Sequence, residues 1–274
     1  MKKQKMYLIS CGMIMCDLCN LVCMPVMGNA NQHETTSVWA KSPVTCMLIE
    51  NENGLVLFDT GCHPKAMTER WDENNRLRTP VTIREDEGVL SAIRMLGKKP
   101  SDVKYIVLSH LHEDHAGCLE FFPNAEVFVS DRELTQTMRL FALGGDMGGY
   151  IYNDIQQWLR QKVKWRLVDD DLEEMELFPG LKILNFGPGH TFGMMGLLIE
   201  LEESGNYILA SDCINTGTNY GPPVRFPGLA YDTIGYRKTV ERIRRLEKQY
   251  QAKVLFGHDI DQYETLKFVP EYYD

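Results

Sequence analysis

The most distinctive stretch of this sequence reads SHLHEDHAG and occupies residues 109–117. It follows the apolar, β-branched segment 103–108, which predicts a buried strand. Because alternate side chains of an extended segment point to the same side, His110 and His112 can face one point together. The sequence therefore predicts a pair of histidines held at the end of a buried strand.

Two further ligand-type side chains follow at once. We expect the chain to turn into the start of a helix, where Asp114 and His115 lie side by side. With His110 and His112 they bring four such groups together within six residues. Imidazole and carboxylate suit Zn²⁺, with Mn²⁺, Fe²⁺ and Co²⁺ as alternatives. Three of the chain's seven histidines lie here, and a metal site explains this clustering better than a loop of solvated histidines.

Three more ligand-type residues stand at the ends of other predicted strands. His190 lies in the tight turn GPGHT after segment 181–186, Asp212 ends an apolar strand, and His258 follows another. Taken singly, each has an ordinary explanation, as a turn histidine, a capping aspartate and a surface histidine. Taken together, they supply the further ligands that a two-metal site needs.

Two segments of the chain share one pattern. Residues 47–59 and 197–212 each read as an apolar strand, a polar turn containing glycine, a second apolar strand and an aspartate. Each predicts a β-hairpin that delivers a carboxylate at a strand end. Two similar halves fit a pseudo-symmetric fold with two sheets.

Helices are predicted among these strands. Apolar stripes place two of them at residues 89–96 and 236–246, and two further helical pieces are expected at 132–140 and 153–163. The glycine-rich segment 140–152 is interpreted as a mobile loop. No Pro-, Gly- or Ser-rich linker divides the sequence, so residues 1–274 are expected to form one layered α/β domain.

The composition is that of an ordinary globular protein. Of 274 residues, 44% are hydrophobic and 24% charged, with a formal net charge of -9. An acidic surface disfavours a nucleic-acid partner, and no stretch predicts a membrane span. We therefore expect a small-molecule substrate, with monomer and homodimer both open.

The eight cysteines predict reduced thiols in a cytoplasmic protein, because a chain of this length needs no disulfide framework. One pattern favours secretion instead: three lysines near the start precede the apolar run 6–27, as in a signal peptide. Asp17 and Asn20 interrupt that run, however, and residues 7–10 read as a first strand. The cytoplasm remains the favoured compartment.

The ordered set of motifs resembles the metallo-β-lactamase superfamily and, within it, most closely the N-acyl homoserine lactonases. The similarity extends over nearly the whole chain and rests on FDTG at 58–61, SHLHEDHAG at 109–117, GPGHT at 187–191, FGHDI at 256–260 and FVPEY at 268–272. The metal motifs are very specific for the superfamily, and the last motif is moderately specific for the lactonases. The resemblance implies an αββα four-layer sandwich with the site at one edge of the paired sheets.

The resemblance also implies how two divalent metal ions, with zinc the first choice, are held. One ion would take His110, His112 and His190, the other would take Asp114, His115 and His258, and Asp212 would bridge both.

It further implies a hydrolase that opens a lactone ring, with a hydroxide that bridges the metals as nucleophile. Asp114 is placed to take the hydroxide proton and pass it to the leaving oxygen, so Asp114 and Asp212 are the candidate catalytic residues. Asp59 is expected either to orient a histidine ligand or to cap the turn at Gly61.

The substrate contacts are where this sequence departs from the pattern. In the lactonases a tyrosine three residues after the bridging aspartate aids substrate binding and catalysis, and here that position is Asn215. An amide can donate a hydrogen bond to a carbonyl oxygen but cannot act as an acid near neutral pH. Tyr220 is the nearby candidate to replace the tyrosine, and Met24 and Met27 are expected in an apolar loop beside the acyl chain.

Four cysteines near the start leave a second interpretation open. Their spacing could hold an iron–sulfur cluster or an extra metal, although the apolar loop is favoured; they are Cys11, Cys16, Cys19 and Cys23.

Other activities compete with N-acyl homoserine lactone hydrolysis. They are a thioesterase of the glyoxalase II kind and a lactonase for another ring, such as a pyridoxolactone. The acidic balance disfavours a phosphodiesterase. A non-enzymatic ligand sensor on the same fold is disfavoured because all seven expected ligand positions are filled.

Overall fold

The computed structural model describes residues 4–34 and 36–274. Lys2 and Lys3, which belong to the signal-peptide-like pattern, lie outside the described residues. The apolar run that follows them forms a buried strand and a short helix rather than one continuous helix. No helix in the described parts of the chain has the length and apolar character needed to cross a bilayer.

The first sheet has seven strands. They are β1 (Lys5–Asp17), β2 (Trp39–Asn51), β3 (Gly54–Phe58), β4 (Val81–Thr82), β5 (Val103–Val107), β6 (Glu126–Ser130) and β7 (Lys164–Val168). Their order across the sheet is β4-β1-β2-β3-β5-β6-β7. The pairs β1–β2 and β2–β3 are antiparallel, whereas β3, β5, β6 and β7 are parallel.

The second sheet has five strands. They are β8 (Glu174–Phe178), β9 (Leu181–Gly187), β10 (Met194–Leu201), β11 (Gly205–Ser211) and β12 (Lys253–Phe256), in the order β12-β11-β10-β9-β8. Both predicted hairpins are confirmed, since β2 pairs with β3 and β10 pairs with β11 in antiparallel register.

The described structure has eight α-helices, together with a π-helical turn (Ala66–Arg70) and two 3₁₀ turns (Pro100–Asp102 and Leu119–Phe121). The α-helices are α1 (Leu18–Leu21), α2 (Glu73–Arg78), α3 (Val89–Met95), α4 (Asp131–Leu143), α5 (Tyr152–Gln161), α6 (Gly217–Tyr220), α7 (Thr233–Tyr250) and α8 (Ile260–Tyr263). The four predicted helices are confirmed as α3, α4, α5 and α7. The helix α4 runs to Leu143, where Gly144 ends it in the left-handed conformation that glycine adopts readily.

The strand period of two explains how the layers stack. Along β1, Met6 and Leu8 face the core between the two sheets, whereas Tyr7 and Ile9 face a core covered by α3 and α5. A third core lies between the second sheet and α7. The layers therefore run helix, sheet, sheet, helix, and the expected αββα sandwich is confirmed.

One local prediction is wrong: no helix starts at Asp114. The backbone N–H groups of His115 and Ala116 both bond to His112 O, which makes a turn. The His115 carbonyl, which a continuing helix would use, accepts instead from Thr60 N and Thr60 Oγ1, at 2.6 and 2.9 Å. A contact with a distant segment thus stops the helix that local sequence favours.

Candidate metal centre

The candidate ligands gather where strands of both sheets end. His110 follows β5 of the first sheet, and His190, Asp212 and His258 follow β9, β11 and β12 of the second. Since β9, β11 and β12 run in the same direction, their carboxyl ends meet at one edge. The sandwich therefore delivers residues far apart in sequence to one point.

The seven side chains singled out in the sequence all lie in this cluster. Their nitrogen and oxygen atoms form overlapping sets whose members lie within 4.8 Å of one another. One set, the three-histidine group, is His110, His112 and His190. A second set, the mixed group, is Asp114, His115 and His258.

Asp212 lies between the two groups. Its Oδ2 is 3.4 Å from His190 Nε2 in the three-histidine group. Its Oδ1 is 3.3 Å from His115 Nε2 and 3.1 Å from His258 Nε2 in the mixed group. One carboxylate thus contacts both sides of the cluster.

Buried polar atoms that make no hydrogen bond indicate whether this cluster could hold metal ions. His110 Nε2 is buried and has no hydrogen-bond partner, and the buried atoms His115 Nε2 and Asp212 Oδ1 lie 3.3 Å apart without the geometry of a hydrogen bond. A buried polar atom without a partner costs about 1–3 kcal/mol, and ligation would remove that cost. The donor set, imidazole nitrogen with carboxylate oxygen, also suits zinc and related divalent ions. The residues present therefore fit a pair of such ions.

The two groups differ in their electrostatics. In the three-histidine group, burial holds the pKa of each imidazole below its usual value, with the neighbouring rings adding to the effect for His110 and His112. In the mixed group, burial alone would lower the pKa of His258, but the carboxylates of Asp212 and Asp114 raise it to about 9. The three-histidine group thus favours neutral rings, the form that binds metal.

Asp59 is not one of the candidate ligands, but its carboxylate contacts a histidine of the cluster. Its Oδ2 lies 2.8 Å from His115 Nδ1, and its carboxylate also accepts from Ser109 N, Ser109 Oγ and Ser211 Oγ. These contacts fit the first of the two roles that the sequence leaves open for Asp59, the orientation of a histidine ligand. Asp59 and Ser211 both have left-handed backbones, at φ 59° and 47°, a strain typical of functional sites.

A cavity of about 90 Å³ opens beside the cluster. Its lining includes the apolar side chains of Ile14 and Leu21 and the charged side chains of Arg78 and Glu113. Asn215 also lines it, and its amide nitrogen lies 3.1 Å from Asp212 Oδ2. The cavity therefore places an amide donor next to the cluster.

Three predicted substrate contacts are not brought to this cavity. The Tyr220 hydroxyl donates to Glu247 on α7, and its ring packs on Phe256, so it cannot replace the missing tyrosine. Met24 and Met27 are 68% and 72% exposed, and neither lines the cavity. Leu21 occupies the apolar position expected for these methionines, because β1 continues directly into α1 at the cavity wall.

The cysteines do not gather into a site of their own. Cys11 and Cys16 are buried in β1, whereas Cys19 and Cys23 are exposed. In the described ranges 4–34 and 36–274, the candidate metal-holding groups contain no cysteine. All eight cysteines are free thiols.

Sequence reasoning missed two acidic residues near the cluster. Glu113 is buried, and burial together with Asp114 raises its pKa to about 8. Glu133 is also buried, and it bonds to the backbone of segments that carry histidines of the cluster. Its sequence signal was misleading, because Ser130 and Glu133 have the spacing of a helix capping box.

Comparison with known proteins agrees with this geometry. The family model of the metallo-beta-lactamase superfamily matches residues 39–258. The chain is 42% identical over 226 residues to N-acyl homoserine lactonase AiiB of Agrobacterium fabrum, which covers 82% of each protein. It is 31% identical over 275 residues to N-acyl homoserine lactonase AttM of Azorhizobium caulinodans, which covers 98% of each.

The fold has solved counterparts as well. A variant of AiiA of Bacillus thuringiensis, crystallised with N-decanoyl-L-homoserine bound at its active site, superposes with a TM-score of 0.82. The two sequences are 26% identical, and the match covers 99% of this chain and 100% of the other.

Proposed function

Because the chain belongs to the metallo-β-lactamase superfamily and, within it, to the N-acyl homoserine lactonases, we propose that it is a dinuclear metal-dependent hydrolase that opens the lactone ring of N-acyl homoserine lactones. The observation that carries this proposal is the cluster of seven buried or half-buried ligand side chains around Asp212, beside a cavity. The related AiiA structure, in which N-decanoyl-L-homoserine is bound at the active site, supports the substrate class.

The proposed ligand assignment follows the two groups. The three-histidine group holds one ion, the mixed group holds the other, and Asp212 bridges them. Zinc is the favoured metal because imidazole and carboxylate are its usual ligands, and iron, manganese and cobalt are alternatives. The buried nitrogens of His110 and His115 that make no hydrogen bond support this assignment.

When bound, the two ions would lower the pKa of a water molecule and polarise the lactone carbonyl. Asp114 lines the cavity, and in the empty centre the imidazoles of His115 and His258 outweigh the effect of burial and lower the pKa of its carboxyl to about 2, so that the group is ionised. The ionised carboxylate can accept the proton that the attacking water loses and deliver it to the ring oxygen that leaves.

Asn215 has a narrower role in this proposal. Its amide nitrogen can donate a hydrogen bond to a carbonyl oxygen in the cavity but cannot supply a proton. Proton delivery to the leaving oxygen therefore falls to Asp114.

A panel assay with metal-loaded protein tests the function. The panel contains short- and long-chain homoserine lactones, other γ- and δ-lactones, a glutathione thioester and a phosphodiester, with metal-stripped protein as the control. We expect ring opening, detected by proton release, for the homoserine lactones and for the loaded protein only. Turnover of the thioester or the phosphodiester alone would refute the proposal.

We also propose that the protein works in the cytoplasm, as a monomer or homodimer and without a nucleic-acid partner. Eight free thiols are typical of a reducing compartment. The net charge of -9 disfavours contact with phosphate backbones.

A further inference from the structure

Glu133 is a fully buried carboxylate in the first turn of α4. It is not among the seven candidate ligands. Burying a carboxylate is costly unless hydrogen bonds compensate, and burial raises the pKa of Glu133 to about 7. We therefore expect the buried carboxylate of Glu133 to accept several hydrogen bonds.

The partners of Glu133 come from three separate segments. Its Oε1 accepts from the backbone N–H of Leu111 at 3.1 Å and from the hydroxyl of Tyr150 at 3.1 Å. Its Oε2 accepts from the backbone N–H of Gly193 at 2.9 Å. Both oxygens are therefore engaged, each with a different backbone segment.

These three partners all lie next to the three-histidine group. Leu111 is the residue between His110 and His112, and Gly193 is in the loop that follows His190. The Tyr150 ring meets His112 edge-on, with centroids 4.7 Å apart. One carboxylate thus joins the two backbone segments on which all three histidines are mounted.

The close approach of α4 to the His190 loop depends on a glycine. A Cβ at Gly193 would lie 2.2 Å from Ser130 Oγ and 3.0 Å from Glu133 N. Only glycine lets the start of α4 come near enough for the carboxylate of Glu133 to reach the Gly193 backbone.

We propose that Glu133 is the positioning residue of the three-histidine group, since it fixes both backbone segments so that His110, His112 and His190 converge on one ion. The inference rests on the proposed metal-binding function. Two carboxylates would then support the centre: Asp59 bonds directly to His115 and reaches His110 through the Ser109 hydroxyl, whereas Glu133 acts through the backbone of both segments that carry the three-histidine group.

The variant Glu133→Gln tests this role. An amide keeps one acceptor oxygen and turns its NH₂ group towards one of the two backbone N–H donors, so one of the two backbone contacts is lost. Asp154→Asn in α5 is the matched control, because Asp154 is an equally buried carboxylate that bonds to Arg70 rather than to the histidine segments.

The readouts are the dissociation constants of the two metal equivalents, measured by competition with a chromophoric chelator, and the visible spectrum of the cobalt-loaded protein. We expect Glu133→Gln to weaken one metal equivalent by about 10–100-fold, the usual effect of losing a supporting group, and to leave the other within about threefold. The cobalt spectrum should change for that equivalent only. Asp154→Asn should lower the Tm and leave both constants unchanged.

Two outcomes would overturn the inference while leaving the proposed function intact. In one, Glu133→Gln binds both ions as the wild type does. In the other, it weakens both ions equally and Asp154→Asn does the same, which would indicate a merely structural role. If the wild-type protein itself binds no pair of ions, the proposed function fails and this inference fails with it.

Discussion

At the scale of single residues, Asp212 is where the two ligand groups meet. Its oxygens lie within 3.1–3.4 Å of His115, His190 and His258. Because one carboxylate contacts both groups, neither group alone could compensate for its loss. The chemistry of the centre should therefore be most sensitive at this position.

We expect Asp212→Ala to lose most metal at the position of the mixed group. We also expect kcat/KM to fall by about three orders of magnitude, which corresponds to about 4 kcal/mol. Metal analysis and initial rates measure both effects. Asp171→Ala, which removes an exposed aspartate from a surface turn, is the control. Full activity in Asp212→Ala would show that the bridging assignment is wrong.

The protonation of the histidines predicts how metal uptake depends on pH. In the empty centre the neighbouring carboxylates outweigh burial and hold the pKa of His115 well above its usual value and that of His258 at about 9. Both rings then carry a proton at neutral pH, and an ion must displace it. The apparent affinity of the mixed group should rise with pH up to about 9, by about tenfold per unit for each proton released.

The three-histidine group provides an internal contrast, because its imidazoles have pKa values below the usual range. Calorimetry in buffers of different ionisation enthalpy measures the protons released by each ion. We expect release for one ion and little for the other. Equal release for both ions would contradict the assignment of charge to the mixed group.

At the scale of elements, the loop between α4 and α5 is packed against the metal motif. Gly149 O accepts from Glu113 N at 2.9 Å, and Gly148 O accepts from Asn75 and Arg78. The glycines of this segment predict a mobile loop, but these contacts fix the end of the loop in place.

This packing makes Gly149 a sensitive position. A Cβ there would lie 2.7 Å from Glu113 Oε2 and 2.8 Å from the His112 ring. We expect Gly149→Ala to destabilise the protein by about 1–3 kcal/mol, as overpacking does, and to lower activity by displacing His112. Gly145→Ala in the same loop is the control, because the one contact of its Cβ under 3.0 Å would be with the flexible end of Leu140, at 2.5 Å. Denaturant unfolding and initial rates compare the two, and equal behaviour would refute the prediction.

The elements also show what the sequence could predict. Strands, hairpins and helices followed from local apolar periodicity, and the seven candidate ligands followed from their positions at strand ends. The failures came from contacts between distant segments. Thr60 donates a hydrogen bond to the His115 carbonyl, which stops a helix there, and the Tyr220 hydroxyl donates to Glu247. In the sequence Glu133 has the spacing of a capping-box residue, whereas in the structure its carboxylate accepts hydrogen bonds from the distant backbone N–H groups of Leu111 and Gly193.

At the scale of the whole molecule, the candidate ligands join the two sheets. His110 to His115 follow a strand of the first sheet, whereas His190, Asp212 and His258 follow strands of the second. Bound ions would therefore link the two halves of the sandwich, in addition to the apolar core between them.

Metal removal should lower the stability of the whole fold. An ion at 100 times its Kd stabilises the native state by about 2.7 kcal/mol, which corresponds to a rise in Tm of about 5–10 °C for a chain of this size. Calorimetric scans of chelator-treated and metal-loaded protein measure the difference, and Asp212→Ala should show a smaller rise. An unchanged Tm would mean that the ions do not link the sheets.

The spread of the ligands along the chain also has a consequence for synthesis. The three-histidine group is complete once His190 has emerged from the ribosome, whereas the mixed group waits for His258, 68 residues later. At about 5–20 residues per second, that interval is about 3–14 seconds. The nascent chain thus contains the complete three-histidine group before the last histidine of the mixed group is synthesised. We expect the ion of the three-histidine group to bind first.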